Sequence, residues 1–531
     1  FDPVYYLCNR DMPVAKQVIE VVTEDDKYYI GYKSLKGAPE FVQKNTSGKK
    51  AYRWEDVGRD KMSDTRFVNE FMEMPSVKFQ VIYARNNSRD FVWFKNESEM
   101  KNDITDEYLA EKAKNFWFNP DKLGSTGNYT AGLSSDMDAT KKSLYKSLKK
   151  KGITDASEEE YIQKAYYLIR SHSLYNKWSD FAFARIFSSL LSEKRIEHEI
   201  VVTTSNLRTN LNKVAFTQEL AWVIKYKNKY YYNPGEHLNP EELPVYLAGN
   251  TAIRFSTENS KGQVTKEVLP LADTNANKLR TQVKTVLDLS KLTLGVEKLV
   301  DAKGLVRDDI IDETLAFTPF METDYRNYGG MSMWEGLSAK QEEKAMEDFN
   351  QLKKQWKEEK PDMMKAMAEN EYGHSIEKYN NFRIVQDGRA YKKRNLQYSE
   401  SFVLTDMTSR AGDDLLIALP ALVTNQTKIK KEERNRTMPV DVRFPRKLTW
   451  NIIFAIPAGY TVKGIESLQQ SISNDCASFS STARIENNTL VIDVSKMYKG
   501  QHFDIQQWPK MLEVLEAAYN FSQFKIVLKK Q

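Results

Sequence analysis

The residues able to act as nucleophiles, bases or metal ligands are few and widely spread. There are two cysteines, Cys8 and Cys476, and five histidines, His172, His198, His237, His374 and His502. Thiol chemistry needs a thiolate, an imidazole within hydrogen-bond reach to generate it, and a third group to hold the ring. No His-x-x-x-His pair exists and no cysteine spacing suits zinc, which disfavours a metal site built on these residues. The sequence implies no cofactor. Two cysteines in 531 residues exclude a disulfide scaffold, and a single long-range bridge is left open.

Bulk charge narrows the classes further. A net charge of +5 over 531 residues is too dilute to imply nucleic acid. The clusters Lys149-Lys150-Lys151 and Lys428-Ile429-Lys430-Lys431 sit beside Glu158-Glu159-Glu160 and Glu432-Glu433, as on a solvated surface. An aromatic content of 12% is that of a chain that packs, and its length predicts three or four domains. No run of 18 apolar residues is present to form a transmembrane helix. The chain begins at Phe1 without a signal-peptide pattern and reads as a processed or trimmed product.

The elements that would position a site follow from periodicity. Alternation over Val14–Val22, Lys27–Tyr32 and Val77–Tyr83 predicts short strands of a β-sandwich within 1–85. Residues 86–154 are polar and read as a partly helical connector, with a helix at 106–116 and a loop at Gly124–Asn128. From 155 to 194 the spacing is helical, with Asp155 or Ser157 as a cap. Strands follow at Ile200–Thr204 and Glu219–Tyr226, with a hairpin over Lys227-Asn228-Lys229. Beyond 255, strands at Lys278–Leu289 and Lys291–Val300 precede a capped helix at 338–359 that Pro361 should end. Strands resume from Phe382, and a helix at 508–519 comes before the last one.

The segment from about 158 to 255 resembles the transglutaminase-like core, shared with papain-like thiol enzymes. Ser179-Asp180-Phe181-Ala182 through Leu190-Leu191 is similar to the helix that the family opens with Gly-Asp-Cys. Arg195–Val202 matches its Gly-Ile-x-Ala-x-x-Val stretch. Leu220-Ala221-Trp222-Val223 and Tyr230-Tyr231-Tyr232-Asn233-Pro234-Gly235 match His-Ala-Trp-Val and Trp-Tyr-x-x-Asp-Pro-Thr. The departures fall on the catalytic letters. Asp180, or Phe181 with a shift of one, stands at the nucleophile, Leu220 at the general base and Asn233 at the orienting acid. Leucine cannot accept a proton, so the relay that would activate a thiol is missing.

The resemblance implies an α+β multidomain chain: a partial N-terminal β-sandwich (1–85), the connector (86–154), a degenerate papain/transglutaminase-like core (155–255), and a C-terminal β-sandwich (256–531) with a helical insertion near 338–372. The first half of the N-terminal sandwich would then lie upstream of Phe1 or be missing. It also implies a bacterial periplasmic or outer-surface location and a non-catalytic binding or scaffolding role for a protein, peptide or glycan partner. Two alternatives stand beside this. A displaced triad would bring Cys8 or Cys476 next to a histidine; Glu219 is expected to point away from the old site and His237 to lie in a surface loop. Trp222, Tyr230 and Tyr232 could instead line a carbohydrate groove, although strand packing explains the same aromatics. An open polar cleft around Asp180, Leu220 and Asn233 would favour binding, and a filled one an architectural role.

Overall fold

A computed structural model describes residues 2–24, 27–46, 49–62, 66–83, 102–119, 133–176, 179–329, 333–334, 336–426 and 428–531. The expected loop at Gly124–Asn128 lies outside them. The fold mixes α and β, and its chain divides into two compact units: residues 1–271 with 322–333, and residues 272–321 with 334–531.

The first unit begins with six strands in two antiparallel sheets. These strands are β1 (Val4–Leu7), β2 (Val14–Val22), β3 (Tyr28–Leu35), β4 (Val42–Thr46), β5 (Lys49–Arg59) and β6 (Ser76–Tyr83). They pair in the orders β1-β6-β3 and β2-β5-β4. Alternation sends Ile30, Tyr52, Trp54, Val77 and Phe79 into one core, which also takes up Cys8. The buried Trp54 indole donates to the Pro39 carbonyl at 2.8 Å.

Helices Asp106–Phe118 and Leu133–Lys150 follow, then Glu158–Asn176, where the Ser157 hydroxyl accepts from the Glu160 amide, and Asp180–Glu193. A five-stranded antiparallel sheet completes the unit: β7 (Glu199–Thr204), β8 (Leu220–Tyr226), β9 (Lys229–Tyr231), β10 (Thr251–Ser256) and β11 (Thr265–Val268), in the order β11-β10-β7-β8-β9. Because β11 pairs with β10, this sheet continues past residue 255. Lys227, at φ 54°, turns the chain between β8 and β9.

The second unit is built on an eight-stranded sheet. Its strands are β12 (Lys278–Asp288), β13 (Thr293–Lys303), β14 (Ile376–Asp387), β15 (Leu396–Leu404), β19 (Arg446–Ala455), β21 (Gln470–Ser473), β22 (Ala477–Glu486) and β23 (Thr489–Tyr498), in the order β14-β15-β13-β12-β19-β23-β22-β21. Only β12 and β19 run parallel among these pairs. A four-stranded sheet joins β16 (Thr408–Ala411), β17 (Asp414–Ile417), β20 (Tyr460–Lys463) and β25 (Ile526–Lys530); a small pair joins β18 (Val440–Asp441) and β24 (His502–Phe503). The Trp508–Ser522 helix buries Met511, Val514, Leu515 and Ala518.

One expectation fails here. The helix capped by Ser338 does not stop before Pro361 but runs from Ala339 to Tyr372. An interior proline costs a helix roughly 3 kcal/mol. Burial of Met364, Ala368 and Tyr372 beyond it offsets that cost, as does the Lys360 ammonium bonded to the Glu313 carbonyl at 3.2 Å.

Candidate functional site

The site is assembled where the Asp180–Glu193 helix starts beside the end of β9. The Ser179 hydroxyl caps this helix by accepting from the Ala182 amide at 3.2 Å. Asp180 then falls in the first turn, where a carboxylate complements the helix dipole. Its two oxygens are taken: Oδ2 accepts from the Tyr232 hydroxyl and Oδ1 from the Asn233 amide at 3.2 Å. Burial raises the Asp180 pKa, and the two donors oppose that rise. Tyr232 is held well above its ordinary value, first by burial and then by the Asp180 charge, so it stays a proton donor. The fold thus brings together two of the three positions singled out in the sequence. With both oxygens accepting from neutral donors, the carboxylate anchors the start of this helix to the chain after β9.

Leu220 opens β8 and is buried. Trp222, two residues on, is fully buried and shares its face, while Ala221 and Val223 pack on the other side with Val201, Tyr232 and Leu247. Above Trp222 lies the end of the Asp106–Phe118 helix. Phe116 and Trp117 stack on the Trp222 ring with centroids 5.6 and 5.8 Å away, and both meet Phe181 edge-on at 4.6 and 5.9 Å. Phe181 itself meets Trp222 edge-on at 5.1 Å. Each such contact adds about 0.5–1.5 kcal/mol beyond the area buried. Arg185 lies over Trp117 and donates to its carbonyl at 2.9 Å, so the plug is tied to the helix it covers.

The three aromatics proposed for a ligand groove are held apart in role. Trp222 lies under the plug and Tyr232 holds Asp180. The Tyr230 hydroxyl donates to Glu267 at 3.3 Å, and the Lys225 ammonium lies over its ring. The sequence missed the plug because it lies in what read as a connector. The run Phe116-Trp117-Phe118, at the end of a helix in an otherwise polar stretch, was its one visible signal.

Glu219 corrects another expectation. It is not on the strand but ends a one-turn helix, Thr217–Glu219, and its carboxylate is buried. Lys78 on β6 pairs with it at 2.5 Å; the Ala215 and Phe216 amides donate to it at 2.6 and 3.0 Å, and the Tyr5 hydroxyl at 3.2 Å. The Lys78 ammonium also donates to the Lys213 carbonyl at 2.7 Å and the Thr209 hydroxyl at 3.2 Å. Lys33, the cross-strand neighbour of Lys78, is buried too, and its pKa is pushed down to about 8 by that burial and then by the Lys78 charge. This cluster joins the N-terminal sheets to the core.

Four other reactive groups, His198, His237, Cys8 and Cys476, are buried. His237 is buried, against the expectation of a surface loop, because the chain after Pro234 folds back with Leu238 in the core of the β7–β8 sheet. His198 is also buried: its Nδ1 bonds the Ile196 carbonyl at 2.8 Å, which fixes Nε2 as acceptor for the Ser188 hydroxyl at 2.7 Å. Burial lowers the His198 pKa and keeps the ring neutral. This hydroxyl–imidazole pair has a carbonyl, not a carboxylate, behind it and fastens the Asp180–Glu193 helix to β7. Both cysteines are buried and free; burial pushes the Cys8 thiol up to about 11 and raises that of Cys476.

Residues 414–528 match the family model of a domain of unknown function with a solved structure, DUF3858. Among solved structures, a "putative protease" from Parabacteroides distasonis aligns over 99% of this chain and 75% of its own, at 8% identity and a TM-score of 0.35. No curated protein matches the chain.

Proposed function

We propose that this chain is a transglutaminase-like protein without catalysis, serving in the bacterial envelope as a scaffold for a protein, peptide or glycan partner. The observation that carries the reading is the plug: Phe116 and Trp117 fill the space over Phe181 and Trp222. Asp180, Leu220 and Asn233 supply neither sulfur nor imidazole. A thiol enzyme needs its nucleophile and base in contact and open to substrate, and both thiols here are buried with raised pKa values. The filled cleft favours an architectural role over ligand capture at this corner. The envelope location rests on the resemblance alone.

The test is turnover. Purified chain is incubated with peptide amides and with a glutamine donor plus an amine acceptor, with and without prior alkylation. No hydrolysis or amine exchange above the buffer rate is expected. Turnover that alkylation abolishes would overturn the proposal.

A further inference from the structure

Sheet edges present unpaired backbone groups, and folded chains usually blunt them with short strands, bulges or cover. The eight-stranded sheet does so at both ends: β14 carries three register shifts, and β21 is four residues long. Edge strands β1, β9, β11, β16 and β20 have three or four residues each, and β3 is buried along most of its length. β2 is different. It ends its sheet with nine residues, Val14-Ala15-Lys16-Gln17-Val18-Ile19-Glu20-Val21-Val22, paired continuously with β5 from Lys16 to Val22.

Its polarity can be read from one bond. The Thr23 amide donates to the Lys50 carbonyl at 2.9 Å, so the odd-numbered residues of β2 turn their backbone groups toward β5. Those of Val14, Lys16, Val18, Glu20 and Val22 therefore face the open edge. Of these, Lys16, Val18, Glu20 and Val22 carry exposed side chains, and Val14 is half-buried. Val18 is 40% and Val22 58% exposed, beside Val57 at 64%, while Ile19 and Val21 pack inward.

We propose that β2 pairs antiparallel with β2 of a second copy, about a twofold axis at Val18. The sequence is self-complementary in that register. Val18 faces Val18 of the second copy, Val14 faces Val22, and Lys16 faces Glu20 on both sides of the axis. Within one chain Lys16 already pairs with Glu55 at 2.6 Å and Glu20 with Arg53 at 3.5 Å. Pairing would therefore build a row of alternating charge across the junction, Glu55–Lys16 of one copy followed by Glu20–Arg53 of the other, and a second row by symmetry. A shift of one residue would turn the valines to the wrong face, and a shift of two would lose the Lys–Glu match. The sheet would then continue as β4-β5-β2 on each side, and the symmetric patch closes on itself.

Charge reversal tests this without relying on loss of fold, since these side chains are exposed. Sedimentation velocity over a dilution series should show the wild-type chain in monomer–dimer exchange. Lys16→Glu and Glu20→Lys should each weaken dimerisation by about tenfold, because like charges then stand directly opposite in two places. An equimolar mixture of the two variants should form heterodimers more tightly than either variant pairs with itself, and the double variant should likewise pair with itself more tightly than either single variant does. Unchanged melting temperatures would exclude unfolding as the cause. A wild-type chain that stays monomeric throughout the series, as when the edge serves a strand of a different protein, would overturn the proposal. So would a dimer that is indifferent to either reversal.

Discussion

Leu220 and Glu219 are neighbours in the chain, yet they belong to regions with opposite characters. On Leu220's side is the corner that we propose corresponds to the catalytic centre of the transglutaminase-like family. It holds one carboxylate that accepts from Tyr232 and Asn233, and Phe116 and Trp117 stack on the neighbouring Trp222. On Glu219's side a carboxylate, an ammonium, a phenol and two amides form a buried, fully engaged cluster that binds the N-terminal sheets to the core. The difference teaches where this molecule spends its polar groups. Buried charge is costly and survives only when paired, so a cluster this complete acts as a joint.

The sharpest way to break this contrast is to remove one half of the joint. Lys78→Met leaves Glu219 buried and unpaired and is expected to cost about 3–5 kcal/mol in urea unfolding. Lys78→Met with Glu219→Gln should recover part of that loss, and a loss below about 1 kcal/mol for the single variant would show that the joint carries no weight. The plug comes next. Trp117→Ala removes a large buried side chain and is expected to cost about 3 kcal/mol without creating turnover. A stable, active Trp117→Ala chain would turn the plug into an autoinhibitory lid.

Smaller effects follow from titration. Lys33 has a native pKa near 8 against an ordinary value of about 10.4. The folded state binds fewer protons between those values, so stability should rise as pH climbs from about 8 toward 10.4, and Lys33→Met should flatten that rise. Asp180 has the opposite sign. With its native pKa raised, its contribution is fullest below the unfolded value and is lost as pH rises through the native one. Asp180→Asn should therefore change stability at neutral pH by no more than about 1 kcal/mol and remove that pH dependence. A loss of several kcal/mol would mean that the carboxylate charge itself matters at this corner.

The sequence carried the local part of this picture. Alternation located β12 and β13, and the Ser338 cap marked where its helix begins. Asp180, Leu220 and Asn233 were singled out in the sequence because they stand where the family that the segment resembles carries residues of known chemistry. What it did not carry was long-range. Nothing local to Trp117 indicates that it will cover Trp222, and Lys78 meets Glu219 across 141 positions. Pro361 misled for a related reason: its local penalty is real, but contacts of Lys360, Met364 and Tyr372 with distant residues outweigh it. Glu219 read as a strand residue because the apolar alternation of β8 begins directly after it.

Alkylation kinetics of the two thiols test the absence of thiol catalysis most directly. Iodoacetamide is added to the folded chain near neutral pH, and modification of Cys8 and Cys476 is followed separately by mass spectrometry. Both should react far more slowly than a free thiol, and both should speed up together on unfolding in urea. Fast alkylation of either cysteine in the folded chain, steepening across the pH range of an imidazole, would contradict the reading and reveal an activated thiol.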